Sequence, residues 1–229
     1  MPKLATQTRL ETAAVVASAY LVVGLLQTSA LLKMDPDATP LDALLASVLF
    51  AALLFPTTYL ASGIDPERLP MLSRVLRDRR SILKLARILP YALGLGVLAF
   101  AVNVALSGLL SRVWMPPTTQ EYVRDLSILE KFLTALSSGI WEETIFRLFL
   151  VSAIFAALGR RTISYLVPNL MFALMHLVFQ NPPYNPPALL VVFAIGLVYT
   201  KSYLDRGLET AIVCHATMNF LTMTVGMLA

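Results

Sequence analysis

The 229-residue sequence is poor in charged residues, histidine and cysteine. Asp, Glu, Lys and Arg make up 14% of it, against about 25% in a typical soluble domain. The one cysteine, Cys214, excludes an intrachain disulfide. The low charge argues against a soluble globular protein. A charged side chain within an apolar segment is therefore unusual here and marks a candidate functional site.

Hydrophobic residues, in contrast, make up 57% of the sequence, and the mean hydropathy is +0.72. They lie in runs close to the ~20 residues that cross a bilayer. These runs predict an all-α, polytopic transmembrane bundle of about seven spans, in a single integral-membrane domain over residues 1–229. The predicted spans are 12–32, 43–62, 88–110, 132–158, 162–180, 187–204 and 210–228.

The distribution of basic residues predicts the orientation of the spans. With the N-terminus in the cytoplasm, most of the 18 lysines and arginines fall in cytoplasmic segments, as the positive-inside rule requires. The net charge of +4 therefore reports topology. We expect a multi-pass protein of the cell membrane whose partner is the lipid bilayer, with no nucleic acid bound.

Two segments have alternative interpretations. Residues 63–87 are rich in arginine, with apolar residues at helical spacing, which predicts either a cytoplasmic basic loop or an amphipathic helix on the membrane surface. Lys3 and Arg9 precede the first apolar run, as in a signal peptide. That run is longer than the 7–15 residues of a signal core, so we expect an uncleaved first span.

The fourth predicted span carries two adjacent carboxylates and a guanidinium. Glu143 and Arg147 are four residues apart, the favourable order for an ion pair on one face of a helix. Glu142 points about 100° away from Glu143. We expect Glu143 and Arg147 to neutralise each other, which leaves Glu142 facing a polar cavity as a candidate general base. The alternative is a buried network of all three groups with no catalytic role.

Both histidines of the chain also lie in predicted spans. His176 lies near the end of the fifth span, where a lone imidazole is often a helix-packing residue. His215 and Asn219 lie four residues apart on one face of the last span. Two such donors can stabilise a developing oxyanion. Alternatively they make interhelical hydrogen bonds, each worth about 0.6 kcal/mol in membranes.

Three motifs, each in its own predicted span, carry a family resemblance. They are EETIFR at residues 142–147, FALMH at 172–176 and HATMN at 215–219. In this order they resemble the CAAX-protease and bacteriocin-processing (Abi) family of intramembrane endopeptidases, which is related to the type 2 CAAX prenyl protease. The resemblance covers roughly residues 130–225, the predicted catalytic core.

The resemblance implies hydrolysis of a peptide bond within the bilayer, in a membrane-associated peptide or protein substrate that is in some cases prenylated. Glu142 and His176 would activate water, and His215 and Asn219 would stabilise the oxyanion. Glu143 and Arg147 would hold the first motif in place.

The metal requirement has two interpretations. Glu142, His176 and His215 are a possible zinc ligand set, as in a metalloprotease. However, HExxH is absent, and Asn219 suits hydrogen-bond donation better than zinc ligation. We therefore predict a glutamate-dependent enzyme with no cofactor and keep zinc as the alternative.

Other functions and one geometric conflict remain open at this point. A small transporter, or a non-catalytic immunity or scaffold protein of the same fold, would also contain polar residues in its spans. Straight helices would place Glu142 ~25 Å from the inner end of its span and His215 only ~8 Å from the inner end of its own. A common site then requires tilted helices, a broken fourth helix or displaced span boundaries.

Overall fold

The computed structural model describes residues 6–35, 37–64, 80–109, 123–179 and 186–225, and these residues form helices and no strand. The predicted all-α fold is therefore confirmed. The helices are α1 (Thr6–Leu26), α2 (Thr28–Met34), α3 (Pro40–Ile64), α4 (Arg80–Leu109), α5 (Ile128–Glu143), α6 (Ser152–Leu158), α7 (Arg161–Phe179), α8 (Pro186–Arg206) and α9 (Leu208–Thr224). A π-helical segment, Thr144–Val151, joins α5 to α6.

Within these residues, four helical stretches are long and apolar enough to cross a membrane: Thr6–Leu26, Pro40–Ile64, Ala86–Leu109 and Ala188–Arg206. They support an integral membrane protein. The count of seven spans and the cytoplasmic N-terminus stay predictions. The middle of the predicted basic segment, residues 65–79, lies outside the described residues.

The helices differ in how much of their surface the bundle covers. Half of the apolar window of α8 is buried inside the protein (50%), whereas α1 and α3 bury 28% each and α4 buries 22%. The contacts follow the same division: α1 packs on α3, while α9 contacts α4, α5 and α8. The motif residues Glu142, Glu143, Arg147 and His215, on α5, the π-helical segment and α9, are buried inside the protein.

Helix α5 begins at a capping box. The hydroxyl of Ser127 accepts a hydrogen bond from the backbone N–H of Glu130, and the Glu130 carboxylate accepts one from the backbone N–H of Ser127. The same carboxylate binds Nζ of Lys33, in the last turn of α2, at 2.8 Å. This ion pair ties the first helices of the chain to the helix that carries the glutamates.

Two glycines bring α9 against its neighbours. Gly207 is the only residue between α8 and α9, and its φ of +93° is a conformation that residues with a Cβ rarely adopt. At Gly139 of α5, a Cβ would lie 3.0 Å from the backbone oxygen of Ile212 on α9. The absence of a side chain at Gly139 lets α5 and α9 approach closely, and the first and third motifs lie on these two helices.

Candidate active site

The structure brings the three motifs together. Glu142 and Glu143 end α5, Arg147 lies in the π-helical segment, His176 is on α7, and His215 is on α9. Oε2 of Glu142 lies 3.8 Å from Nε2 of His176 and 3.9 Å from Nε2 of His215. Predicted span 132–158 is neither a uniform α-helix nor broken, because its α-helical ends continue through the π-helical segment. Such segments often occur at functional sites.

One hydrogen bond of His176 indicates which of its ring nitrogens carries the hydrogen. Nδ1 of His176 lies 2.9 Å from the backbone oxygen of Phe172. A carbonyl oxygen only accepts, so we assign the hydrogen of the neutral ring to Nδ1. The Nε2 lone pair then points toward Oε2 of Glu142, a buried oxygen that accepts no hydrogen bond from the part of the chain that the structure describes.

Nδ1 of His215 is also hydrogen-bonded, but to the carboxylate of Glu143 and not to a backbone oxygen. Its Nδ1 lies 2.7 Å from Oε1 of Glu143, which assigns the ring hydrogen to Nδ1 and the lone pair to Nε2. Nε2 in turn faces Oε2 of Glu142. Three acceptor atoms thus converge on one point. A water molecule there would donate hydrogen bonds to two of them, as buried polar sites of this kind require.

Glu143 and Arg147 form the expected ion pair, fully buried. Nη1 of Arg147 lies 3.1 Å from Oε1 of Glu143, the oxygen that also contacts His215. Nη2 of Arg147 donates to Oδ1 of Asn169 at 3.2 Å and to the backbone oxygen of Gly196 at 3.1 Å. The guanidinium is therefore held by residues of α5, α7 and α8. Because Oε1 of Glu143 also contacts His215, the guanidinium is linked to the third motif as well.

Two aromatic rings complete the support of the charged groups. Cζ of Arg147 lies 4.3 Å from the centre of the Phe172 ring, within the range of a cation–π contact. Tyr199 stacks on the imidazole of His215, with 4.3 Å between ring centres and an interplanar angle of 15°. The stack restrains the tilt of the His215 ring, while the hydrogen bond to Glu143 determines the direction in which Nδ1 points.

Asn219 lies one turn beyond His215 on α9 and contacts a different group. Its Nδ2 donates to Oγ of Ser138 on α5 at 2.9 Å. His215 in its assigned tautomer carries no hydrogen on Nε2, so it donates from that atom only after it binds a proton. The predicted pair of donors thus consists of a carboxamide anchored to α5 and an imidazole anchored to Glu143.

Several residues of the site lie outside the sequence prediction. The sequence could have marked Asn169 as a candidate, because it is a carboxamide in a predicted span. It lies two turns before His176 and therefore on the same helix face. Ser138 is likewise one turn before Glu142. Gly196 and Tyr199 gave no such signal, since a glycine or a tyrosine in an apolar helix is ordinary. Their roles depend on how α8 is rotated against its neighbours.

The distances from Glu142 to His176 and His215 can be compared with those of a zinc site. Tetrahedral ligands about 2.0–2.1 Å from zinc lie about 3.3 Å from each other. Both measured separations from Oε2 of Glu142 are longer, at 3.8 and 3.9 Å. Within the described ranges, no group of three or more His, Cys, Asp and Glu residues is arranged to hold a metal ion. The donor types suit zinc, and the two measured separations are longer than those between ligands of one tetrahedral ion.

Comparison with known proteins identifies the part of the chain that carries this site. Residues 124–221 match the family model described as type II CAAX prenyl endopeptidase Rce1-like. All three motifs lie in this range, so the resemblance read from them is confirmed. No curated protein and no solved structure matches the chain. At the level of the family, the match supports a CAAX-type intramembrane protease, and the four span-length helices agree with it.

Proposed function

We propose that this protein, whose residues 124–221 match the Rce1-like type II CAAX prenyl endopeptidases, is a glutamate-dependent intramembrane endopeptidase that uses no metal. Its substrate would be a membrane-associated peptide or protein, including one with a prenylated C-terminus. The observation that carries the proposal is the convergence of Glu142, His176 and His215 from three separate helices on one buried point.

In the proposed reaction, a water molecule donates its hydrogens to Oε2 of Glu142 and Nε2 of His176. Glu142 acts as the general base and takes the proton as the water oxygen attacks the scissile carbonyl carbon. His176 positions the water, because its Nδ1–H is committed to the Phe172 carbonyl and its lone pair faces the reacting atoms. The carbonyl oxygen becomes the oxyanion of a tetrahedral intermediate.

The oxyanion would be stabilised by His215 and Asn219. The carboxylates of Glu142 and Glu143 and the guanidinium of Arg147 leave the buried cluster with one formal negative charge when both imidazoles are neutral. In the proposed cycle His215 takes up one proton from solvent before water attacks and keeps it throughout, which brings this charge to zero. Glu143 stabilises that imidazolium through Nδ1, as the carboxylate of a Ser-His-Asp triad does. Nε2–H of His215 and the second amide hydrogen of Asn219 then donate to the oxyanion.

The intermediate collapses when the C–N bond breaks. The carboxylic acid of Glu142, protonated in the first step, returns its proton to the departing nitrogen, which leaves as the amine of the C-terminal fragment. The N-terminal fragment leaves as a carboxylic acid. Glu142 is then a carboxylate again, and each proton taken from water is accounted for.

Substitution of the general base and of its partner tests this proposal. Glu142→Gln and His176→Ala are expected to lower cleavage of a membrane-tethered fluorogenic peptide by at least about 10²-fold, the usual contribution of general base catalysis. Both should insert and unfold like the wild type. Glu11→Gln, which changes an α1 carboxylate that accepts an exposed hydrogen bond from Gln7, is the matched control. Near-wild-type turnover by Glu142→Gln would overturn the base assignment.

The metal question has its own test. Activity is expected to survive purification in strong chelator, with well under one zinc per active chain by elemental analysis. If zinc is stoichiometric, and its removal and return switch activity off and on, the protein is a metalloprotease with Glu142, His176 and His215 as ligands.

A further inference from the structure

Facing residues of α5 and α9 make two polar contacts, one helical turn apart. Ser138 and Glu142 are four residues apart on α5, and His215 and Asn219 are four residues apart on α9, so each pair lies on one face of its helix. One contact joins Ser138 to Asn219 at 2.9 Å. The other brings Glu142 within 3.9 Å of His215. The Ser138–Asn219 contact thus lies one turn of both helices from the Glu142–His215 contact, which belongs to the proposed reacting groups.

The hydrogen bonds of Ser138 determine which way the Asn219 carboxamide points. The hydroxyl of Ser138 donates to the backbone oxygen of Ala135 at 3.1 Å, so toward Asn219 it acts as an acceptor. An acceptor selects the NH₂ end of the carboxamide over its oxygen. One amide hydrogen is thereby directed to α5, and the other is left to donate elsewhere.

The backbone keeps this contact at a fixed length. Gly139 follows Ser138 directly, and a Cβ there would lie 3.0 Å from the oxygen of Ile212 and 3.6 Å from the nitrogen of Ala216 on α9. The two helices are therefore in close contact beside the Ser138–Asn219 hydrogen bond. Packing resists small movements of either helix, so the helices hold the backbones of Ser138 and Asn219 in place. The orientation of the Asn219 carboxamide then depends on its hydrogen bond to the Ser138 hydroxyl.

We infer that Ser138 is a positioning residue for the hydrolytic reaction, which orients Asn219 so that its second amide hydrogen is directed at the oxyanion. This inference rests on the proposed function, and it adds a residue that lies in none of the three motifs. Ser138 contacts neither substrate nor water in this role; it acts through Asn219.

The neighbouring serine offers a matched control. Ser137 lies about 100° around α5 from Ser138. It accepts a hydrogen bond at 3.0 Å from Nε2 of Gln27, the residue between α1 and α2. Ser137→Ala removes the same hydroxyl from the same turn of the same helix without touching Asn219. A loss of activity that comes only from weakened packing of α5 would follow both substitutions.

The test is a double-mutant cycle on the full-length protein in nanodiscs, with the fluorogenic peptide as probe. Asn219→Ala is expected to lower kcat by about 10²–10³-fold, as for loss of one oxyanion donor. Ser138→Ala should lower kcat by about 10-fold with little change in KM, since the amide is present but misdirected. Ser138→Ala should add no further loss in the Asn219→Ala background. Ser137→Ala should turn over like the wild type.

Conservative variants separate orientation from folding. Ser138→Thr keeps the hydroxyl and should retain most of the activity, and Ser138→Cys, a weaker acceptor, should fall between serine and alanine. These two keep the inference testable if Ser138→Ala folds poorly.

The inference is overturned if Ser138→Ala keeps wild-type kcat while Asn219→Ala is impaired, and the proposed function then stands. It is equally overturned if Ser138→Ala costs the same factor in both backgrounds. Wild-type kcat in Asn219→Ala would instead locate the failure in the proposed oxyanion role.

Discussion

Nδ1 of His215 lies 2.7 Å from Oε1 of Glu143, a contact between residues 72 positions apart that joins the first motif to the third. The same carboxylate oxygen binds Arg147 at 3.1 Å. Glu143 is therefore both the partner of a buried cation and the group that orients an imidazole beside Glu142. The predicted supporting ion pair and the predicted catalytic set are therefore in direct contact, through Glu143 and His215.

Removal of Arg147 is expected to be costly for stability. Arg147→Ala leaves Glu143 as a buried carboxylate without its cation, and breaking such a pair typically costs about 3–5 kcal/mol. Oδ1 of Asn169 and the Gly196 carbonyl each also lose the hydrogen bond from Arg147. A lower folding yield and a lower midpoint of thermal unfolding in detergent should follow. Unchanged stability together with lost activity would place Arg147 in the chemistry instead.

The double variant Glu143→Gln with Arg147→Met tests whether the loss of stability comes from a buried charge left without its partner. No unpaired charge remains in it, so part of the lost stability should return relative to Arg147→Ala. If the double variant is less stable than Arg147→Ala, the pair contributes more through its hydrogen bonds than through compensation of charge.

Glu143→Gln alone is expected to act on activity through His215. A carboxamide can present either its oxygen or its NH₂ group to Nδ1, so the tautomer and charge of the imidazole are no longer fixed. Loss of the orienting carboxylate in a Ser-His-Asp triad costs about 10⁴-fold in kcat, and we expect a loss of at least about 10²-fold here. Turnover and thermal unfolding of the same preparation measure it. Activity that falls only in proportion to folded protein would contradict this role of Glu143.

Gly196 is predicted to be intolerant of even a methyl group. A Cβ there would lie 2.7 Å from Oδ1 of Asn169 and 3.2 Å from Nη2 of Arg147, so Gly196→Ala should cost about 1–3 kcal/mol by overpacking and reduce turnover. Gly94→Ala, on α4, is the matched control, because its Cβ would meet no atom within 4 Å. It should instead stabilise the helix by about 0.5–1 kcal/mol. Equal shifts in both unfolding midpoints would contradict the predicted contact.

The ion pair at the start of α5 predicts a specific loss of stability in acid. The Lys33 ammonium and the Ser127 groups lower the pKa of Glu130 from 4.5 to about 2. A carboxylate with a lowered pKa stabilises the folded state fully above about pH 4.5, and this contribution is lost as the pH falls toward 2. Unfolding midpoints measured across that range should fall less steeply for Lys33→Met than for the wild type. Lys131→Met, which removes the same charge nearby, should follow the wild-type profile.

The sequence alone determined the fold class and the chemical types of the site. Apolar runs of span length require helices, since every backbone polar group must be satisfied within the bilayer. Local spacing also placed Glu143 with Arg147, and His215 with Asn219, on single helix faces, because residues four apart share a face whatever surrounds them. The chain order of the three motifs also indicated the family resemblance, which the match over residues 124–221 confirms.

Only the tertiary structure decided which atoms meet. Helical periodicity fixes neighbours along one helix, but the distance and rotation between helices depend on close approaches such as that at Gly139 and on the sharp turn at Gly207. Those approaches bring His215 to Glu143, Asn219 to Ser138 and Tyr199 onto an imidazole face. Hydropathy likewise does not distinguish a π-helical segment from an α-helix, because an apolar run has the same hydropathy in either conformation. The contacts that join the three motifs to one another are therefore long-range, and no local pattern encodes them.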